Sequence, residues 1–156
     1  FTTALSNVCF DTYNCGEGCL LEEKLKSFTE RSAKRLLNKK GSGSGKTDLR
    51  QLTALTEYGC MTQLATLDSY LDVFAMNDDY YAASHKFVTL MAQQAVKRDY
   101  DVILCPAILF GNTLYEHLLI PEAGIAFVIN SPISKLDRLR PCRGSVFRHQ
   151  ESQESP

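Results

Sequence analysis

The chain has 156 residues, 44% hydrophobic and 22% charged, which fits one globular domain around one core. Its formal net charge of −1 excludes a global field that would draw the whole molecule to nucleic acid or an anionic membrane. The longest apolar runs, such as Val102–Leu104 and Ile125–Ile129, have strand length and fall short of the about 20 residues that cross a bilayer.

No signal-peptide pattern opens the sequence, and its start at Phe1 reads as a piece or processed product of a larger protein. Residues Ala4 to Phe10 (ALSNVCF) read as a first strand, followed by Asp11 and a glycine-containing turn, CGEGC. From Leu21 the spacing of Leu25, Phe28, Leu36 and Leu37 predicts an amphipathic helix that ends on Asn38-Lys39-Lys40. Basic residues there suit a helix C-terminus.

GSGSG at residues 41–45 comes next, within NKKGSGSGKTDL. A phosphate-cradling loop requires G-x-x-x-x-G-K-[ST], entered from a strand and left into a helix. Gly45-Lys46-Thr47 supplies only the end of that pattern, because Lys40 stands where the first glycine is needed and a charged helix precedes it. No nucleotide site is expected. Strict Gly/Ser alternation instead reads as a designed flexible linker in place of a natural loop.

Leu49, Leu52, Leu55 and Tyr58 predict a second helix stopped by Gly59, and Met61, Leu64, Leu67, Leu71 and Phe74 a third. Asn77-Asp78-Asp79 offers caps for a fourth helix carrying Phe87, Val88, Leu90, Met91, Ala95 and Val96. DVILC (101–105) then reads as a buried strand closed by Pro106, and 109–119 as a short helix. Pro121 to Gly124 forms a turn, IAFVIN (125–130) a second buried strand, and Ser131-Pro132 a helix start running to Leu139. Ser145–Phe147 reads as a last strand, and 149–156 as a disordered polar tail.

Continuous apolar strands between helices predict an α/β fold: a small, mostly parallel sheet of about four strands with helices on both faces, in one domain over 1–148. Ligands of such sheets bind beyond the carboxyl ends of the strands. The residues expected there are Asp11, Cys105, Asn130 and Ser131. VCFDT (8–12) resembles the opening of PIN-like nucleases, in which an aspartate ending the first strand binds a metal. That resemblance covers a few residues and implies further carboxylates at later strand ends, where Asn130-Ser131-Pro132 stands instead. The helix-DVILC-helix-GIAFVIN-helix run is also loosely similar to the apical domain of group II chaperonins.

The six cysteines, at 9, 15, 19, 60, 105 and 142, lack zinc-ligand spacing and are expected to be reduced. No catalytic constellation, metal or cofactor is expected. His85 and His117 fall in helical patterns and read as packed or polar-face residues.

Charge is uneven. Lys24 to Arg50 holds nine basic residues against two acids, and Glu57 to Asp79 holds five acids and no base. Asp72, Phe74, Asp78, Asp79, Tyr80 and Tyr81 therefore read as a docking surface for a basic or helical protein partner. The resulting expectation is a non-catalytic scaffold or regulatory module of a larger intracellular protein, nuclear or cytoplasmic. Two alternatives are a metal-dependent hydrolase or nuclease using Asp11 with Asp68, Asp72 or Asp101, and nucleic-acid binding through the basic helix 24–40.

Overall fold

The computed structural model describes residues 2–111, 113–131 and 136. The expected helix after Ser131 falls mostly outside these residues. The expected strand 145–147, the tail 149–156, Cys142 and His149 fall wholly outside them.

Two helices open the chain, α1 (Thr2–Gly18) and α2 (Glu22–Leu36). Three short strands follow: β1 (Thr47–Leu49), β2 (Thr53–Thr56) and β3 (Gly59–Thr62). A 3-10 turn (Leu64–Ser69) leads to β4 (Asp72–Asn77) and helix α3 (Ala82–Lys97). The chain continues through β5 (Val102–Pro106), a 3-10 turn (Ile108–Phe110), β6 (Tyr115–Ile120), a second such turn (Pro121–Ala123) and β7 (Ile125–Asn130).

The fold class is α/β, but the sheet is mixed. It has five strands in the order β1-β5-β6-β7-β4, beside a separate β2-β3 hairpin. β1 pairs parallel with β5 and β4 with β7, while β6 is inserted antiparallel to both β5 and β7. Half of the pairings are therefore antiparallel, which corrects the mostly parallel expectation. The four remaining strands all run one way, so the sheet keeps a carboxyl edge, formed by the ends of β5, β7 and β4.

The two sheet faces are covered differently. Met76, Val102, Leu118, Ile120, Ile125, Phe127 and Ile129 face α2 and α3, packing on Phe87, Val88, Met91 and Ala95. The alternate residues Val73, Cys105, Leu119, Ala126 and Val128 pack on Leu52, Leu67 and Leu136. Both α-helices that cover the sheet lie on one face, and among the described residues only the Leu52–Tyr70 segment and Leu136 cover the other. Helices on both faces were expected, because a strand apolar on both sides records burial without recording what does the burying.

Other elements also differ from the expectation. ALSNVCF belongs to α1, whose Leu5, Cys9 and Tyr13 repeat every four residues and so share a helix face. That face rests on Phe110, with the rings of Phe10 and Phe110 5.1 Å apart. The two helices expected between Leu49 and Phe74 are strands β1 to β4 and a 3-10 turn. Their leucines show helical spacing, but Gly59 at φ +107° closes a hairpin between them. The helix expected over 109–119 is a 3-10 turn followed by β6, because Gly111 turns left-handed after three residues.

The Gly/Ser segment is held in place. Asp99, in the left-handed region at φ +62°, points its carboxylate into the segment. It accepts the N–H groups of Ser42 at 2.8 Å and Ser44 at 2.6 Å, and the Ser44 hydroxyl at 2.9 Å. These bonds hold its pKa down at about 2. Gly45 lies so close to the Tyr100 carbonyl that a Cβ would not fit. Lys46 donates its N–H to Asp101 at 2.8 Å, and Thr47 then opens a strand rather than a helix. The anion in this nest of amides is the protein's own carboxylate.

Candidate functional site

The carboxyl edge of the sheet carries a small cavity between α1, the β2-β3 hairpin and the first turn of α3. Cys9, Thr53, Cys60, Tyr81, His85, Phe110, Glu116 and Ser131 are among its walls, and its volume is about 20 Å³. That is room for about one water-sized group.

Glu116 reaches the cavity through an irregularity in β6. Cys105 pairs with His117 and Pro106 with Tyr115, so Glu116 is an extra residue with no partner on β5. Such a bulge re-aims a side chain. It forms beside Pro106, whose nitrogen has no hydrogen for a regular ladder. Glu116 and His117 can then approach each other, with Oε1 3.2 Å from Nε2, although neighbours on a regular strand point apart.

The hydrogen bonds define which ring nitrogens carry protons. The backbone N–H of Ile129 donates to His117 Nδ1 at 3.1 Å, so the proton of that ring sits on Nε2. Thr53 Oγ1 lies 3.1 Å from the same Nε2 and 3.1 Å from Thr62 Oγ1. The single Nε2–H is directed at Thr53, which leaves Glu116 Oε1 buried without a hydrogen bond. His85, 3% exposed, donates from Nδ1 to the Tyr115 carbonyl at 2.6 Å. Its Nε2 is consequently a bare acceptor, also buried and unpartnered.

The electrostatics follow from this packing. Burial pushes the His85 pKa below the usual range against the opposing pull of the Tyr115 carbonyl, keeping the ring neutral. Burial also opposes ionisation of Glu116, but the neighbouring His117 and Thr53 outweigh it and hold that carboxyl below its ordinary value. Burial raises the Cys9 and Cys60 thiols and pushes the Tyr81 hydroxyl up to about 12. At neutral pH the cavity wall therefore presents protonated thiols, which are poor nucleophiles, beside one carboxylate and one neutral imidazole.

The expected docking residues divide. Asp72, Asp79 and Tyr80 are exposed, and Phe74 is half-buried with its ring stacked on Phe127 at 5.3 Å. Asp78 and Tyr81 face inward. The Asp78 carboxylate accepts the Tyr80 N–H at 3.0 Å, and the Ser84 N–H and hydroxyl at 2.8 Å each. It thus caps α3, where a carboxylate also meets the positive end of the helix dipole. Tyr81, left-handed at φ +62°, packs on Phe110 with ring centroids 5.5 Å apart.

Of the expected strand-end residues, only Ser131 lines the cavity. Cys105 is buried on the opposite sheet face, where burial and then Glu116 push its pKa up to about 12. Asn130 donates from Nδ2 to Asn77 at 2.8 Å and accepts the Leu136 N–H at 3.0 Å, tying the chain after β7 to the sheet. Asp11 lies exposed in the middle of α1, so it ends no strand and the basis of the PIN-like resemblance is removed. Asp72 and Asp101 stand at the amino ends of β4 and β5, away from the cavity, and Asp68 is exposed on the 3-10 turn. Among the described residues no group of three or more His, Cys, Asp or Glu side chains could hold a metal ion.

The basic helix is mixed in charge on its surface. Glu23 and Glu30 share a shallow hollow with Lys24, Arg31 and Lys34, and Lys39 pairs with Glu122 and lies over the Tyr100 ring. No helix among the described residues is long and apolar enough to cross a membrane. The sequence reading missed Thr53, Cys60 and Glu116, and placed His85 and His117 only as packed or polar-face residues. The one local signal was the polar pair Glu116-His117 standing immediately before the apolar run Leu118–Ile120.

No family model, curated protein or solved structure matches this chain.

Proposed function

We propose that the protein is a non-catalytic interaction module of a larger intracellular protein, nuclear or cytoplasmic, and that β4 takes up an extended, basic segment of a partner. The observation carrying this reading is the open edge of β4. Asp72 and Asp78 donate their N–H groups inward, to Gly124 and Asn130 of the β7 side. By the alternation of a parallel ladder, the peptide groups of Val73, Ala75 and Asn77 point outward. Among the described residues β4 has no strand on that side. A six-residue edge is long enough to template an added strand, which is a common mode of peptide recognition.

The surroundings favour a basic, partly apolar occupant. Asp72 and Asp79 flank the edge, exposed, and the nearest stretch of sequence from Glu57 to Asp79 contains no base. Leu71, 88% exposed, and Tyr80, 48% exposed, offer apolar contacts at either end. Carboxylates at the rim raise the association rate of a basic segment, and the apolar side chains slow its release.

The test uses immobilised seven-residue peptides that alternate Lys with Val or Thr. Retention should weaken with salt and fall in Asp72→Lys/Asp79→Lys. Ala75→Pro removes an outward N–H without touching the β7 ladder, so it should abolish retention while the melting temperature falls by only a few degrees. Undiminished retention by both variants would refute the β4 site.

A further inference from the structure

No lysine or arginine stands among the described residues that line the cavity at the carboxyl edge. Two buried atoms face it without partners, Glu116 Oε1 and His85 Nε2. Both are acceptors: the first belongs to a carboxylate, and the second lost its donor role when Nδ1 bonded the Tyr115 carbonyl. Burying such atoms unsatisfied is costly, and a buried carboxylate without a counter-charge is costlier.

No such counter-charge is supplied by the described residues. The only ion-pair neighbour of Glu116 among them is His117, whose Nδ1 accepts the Ile129 N–H and whose single proton is directed at Thr53. The lysine and arginine ion pairs of the described residues lie elsewhere, on Glu22, Asp48 and Glu122. The aromatic rings of Tyr81 and Phe110 complete the wall, and their faces attract cations.

We propose that this cavity binds a protonated amine, either free ammonium or the –NH3+ end of a longer molecule, donating to Glu116 Oε1 and His85 Nε2. A water molecule supplies two donors but no charge. A potassium ion supplies the charge but cannot donate to an imidazole nitrogen. An ammonium group supplies both, and the volume of about 20 Å³ admits one such head. The site is independent of the β4 edge, so failure at one leaves the other standing.

The experiment compares ammonium chloride with potassium chloride at equal ionic strength on the intact chain. His85 ring nitrogens are followed by long-range proton–nitrogen spectra, and stability by thermal melting. Ammonium should shift the His85 Nε2 resonance saturably and raise the melting temperature above that in potassium. Glu116→Gln should weaken this response at least tenfold. His85→Phe, which keeps a ring in the aromatic cluster, should abolish the difference between the two salts and serves if the glutamine variant fails to fold. Methylammonium and Nα-acetyl-lysine amide distinguish the sources: a response to them identifies a cavity open to an amine on a chain, and a response to ammonium alone a closed one. Identical behaviour in the two salts, or a full ammonium response in both variants, would overturn the proposal.

Discussion

Phe127→Ala tests the core at the point where sequence and structure agree most closely. Phe127 is 1% exposed in the middle of β7, with its ring 5.3 Å from Phe74 and 5.4 Å from Phe87. Truncating a buried phenylalanine costs about 3–5 kcal/mol in transfer and cavity energy. Each aromatic pair adds about 0.5–1.5 kcal/mol, so loss of both places this variant near the upper end, about 4–5 kcal/mol. In a domain of this size each kcal/mol moves the melting point by about 2–4 °C, giving a fall of about 8–20 °C. In urea, with a slope of about 2 kcal/mol/M, the midpoint should drop by about 2 M. Phe74→Ala leaves the Phe87 contact intact and removes a half-buried ring, so it should cost about 2 kcal/mol. A Phe127→Ala loss below about 1 kcal/mol, or a smaller loss than for Phe74→Ala, would refute this account of the sheet core.

Three further outcomes are expected. Gly45→Ala should destabilise by about 2–3 kcal/mol, because the new methyl meets the Tyr100 carbonyl. Gly43→Ala, strained at φ +88° but facing open space, should cost about 1 kcal/mol, and the reverse order in urea melts would mean the segment does not dock as described. Asp99 has a folded pKa of about 2, depressed from 3.8, so its stabilisation is full above the unfolded value and is lost as pH falls from about 4 toward 2. Carbon NMR titration should find that low value, and Asp99→Asn should flatten this part of the acid limb; an ordinary carboxylate titration would contradict the nest. Among the described cysteines, exposed Cys15 and Cys19 should alkylate first and buried Cys105, pushed up to about 12, last. Peptide mapping that finds Cys105 modified as fast as Cys15 would put it outside the core.

What the sequence determined by itself is the part of the fold carried by strong local periodicity. The apolar face of α2, the run from Phe87 to Val96 in α3, and the buried strands around Val102 and Phe127 each repeat a pattern that one element satisfies alone. Tertiary structure decided the rest. Leu5, Cys9 and Tyr13 become a helix face only because Phe110, about a hundred residues later, gives them something to cover. Leu52 and Leu55 keep helical spacing yet lie beside and in a hairpin, where the left-handed Gly59 turns the chain back and Thr53 to Thr56 pair with Gly59 to Thr62. The acidic-aromatic segment looked continuous, but a buried capping carboxylate and a left-handed tyrosine divide it between surface and interior. The cavity was the least legible feature. Its walls come from α1, the hairpin, α3, β6 and β7, and Glu116 reaches it through a bulge opposite Pro106. That geometry depends on which strand lies beside β5, and no local pattern encodes a neighbour.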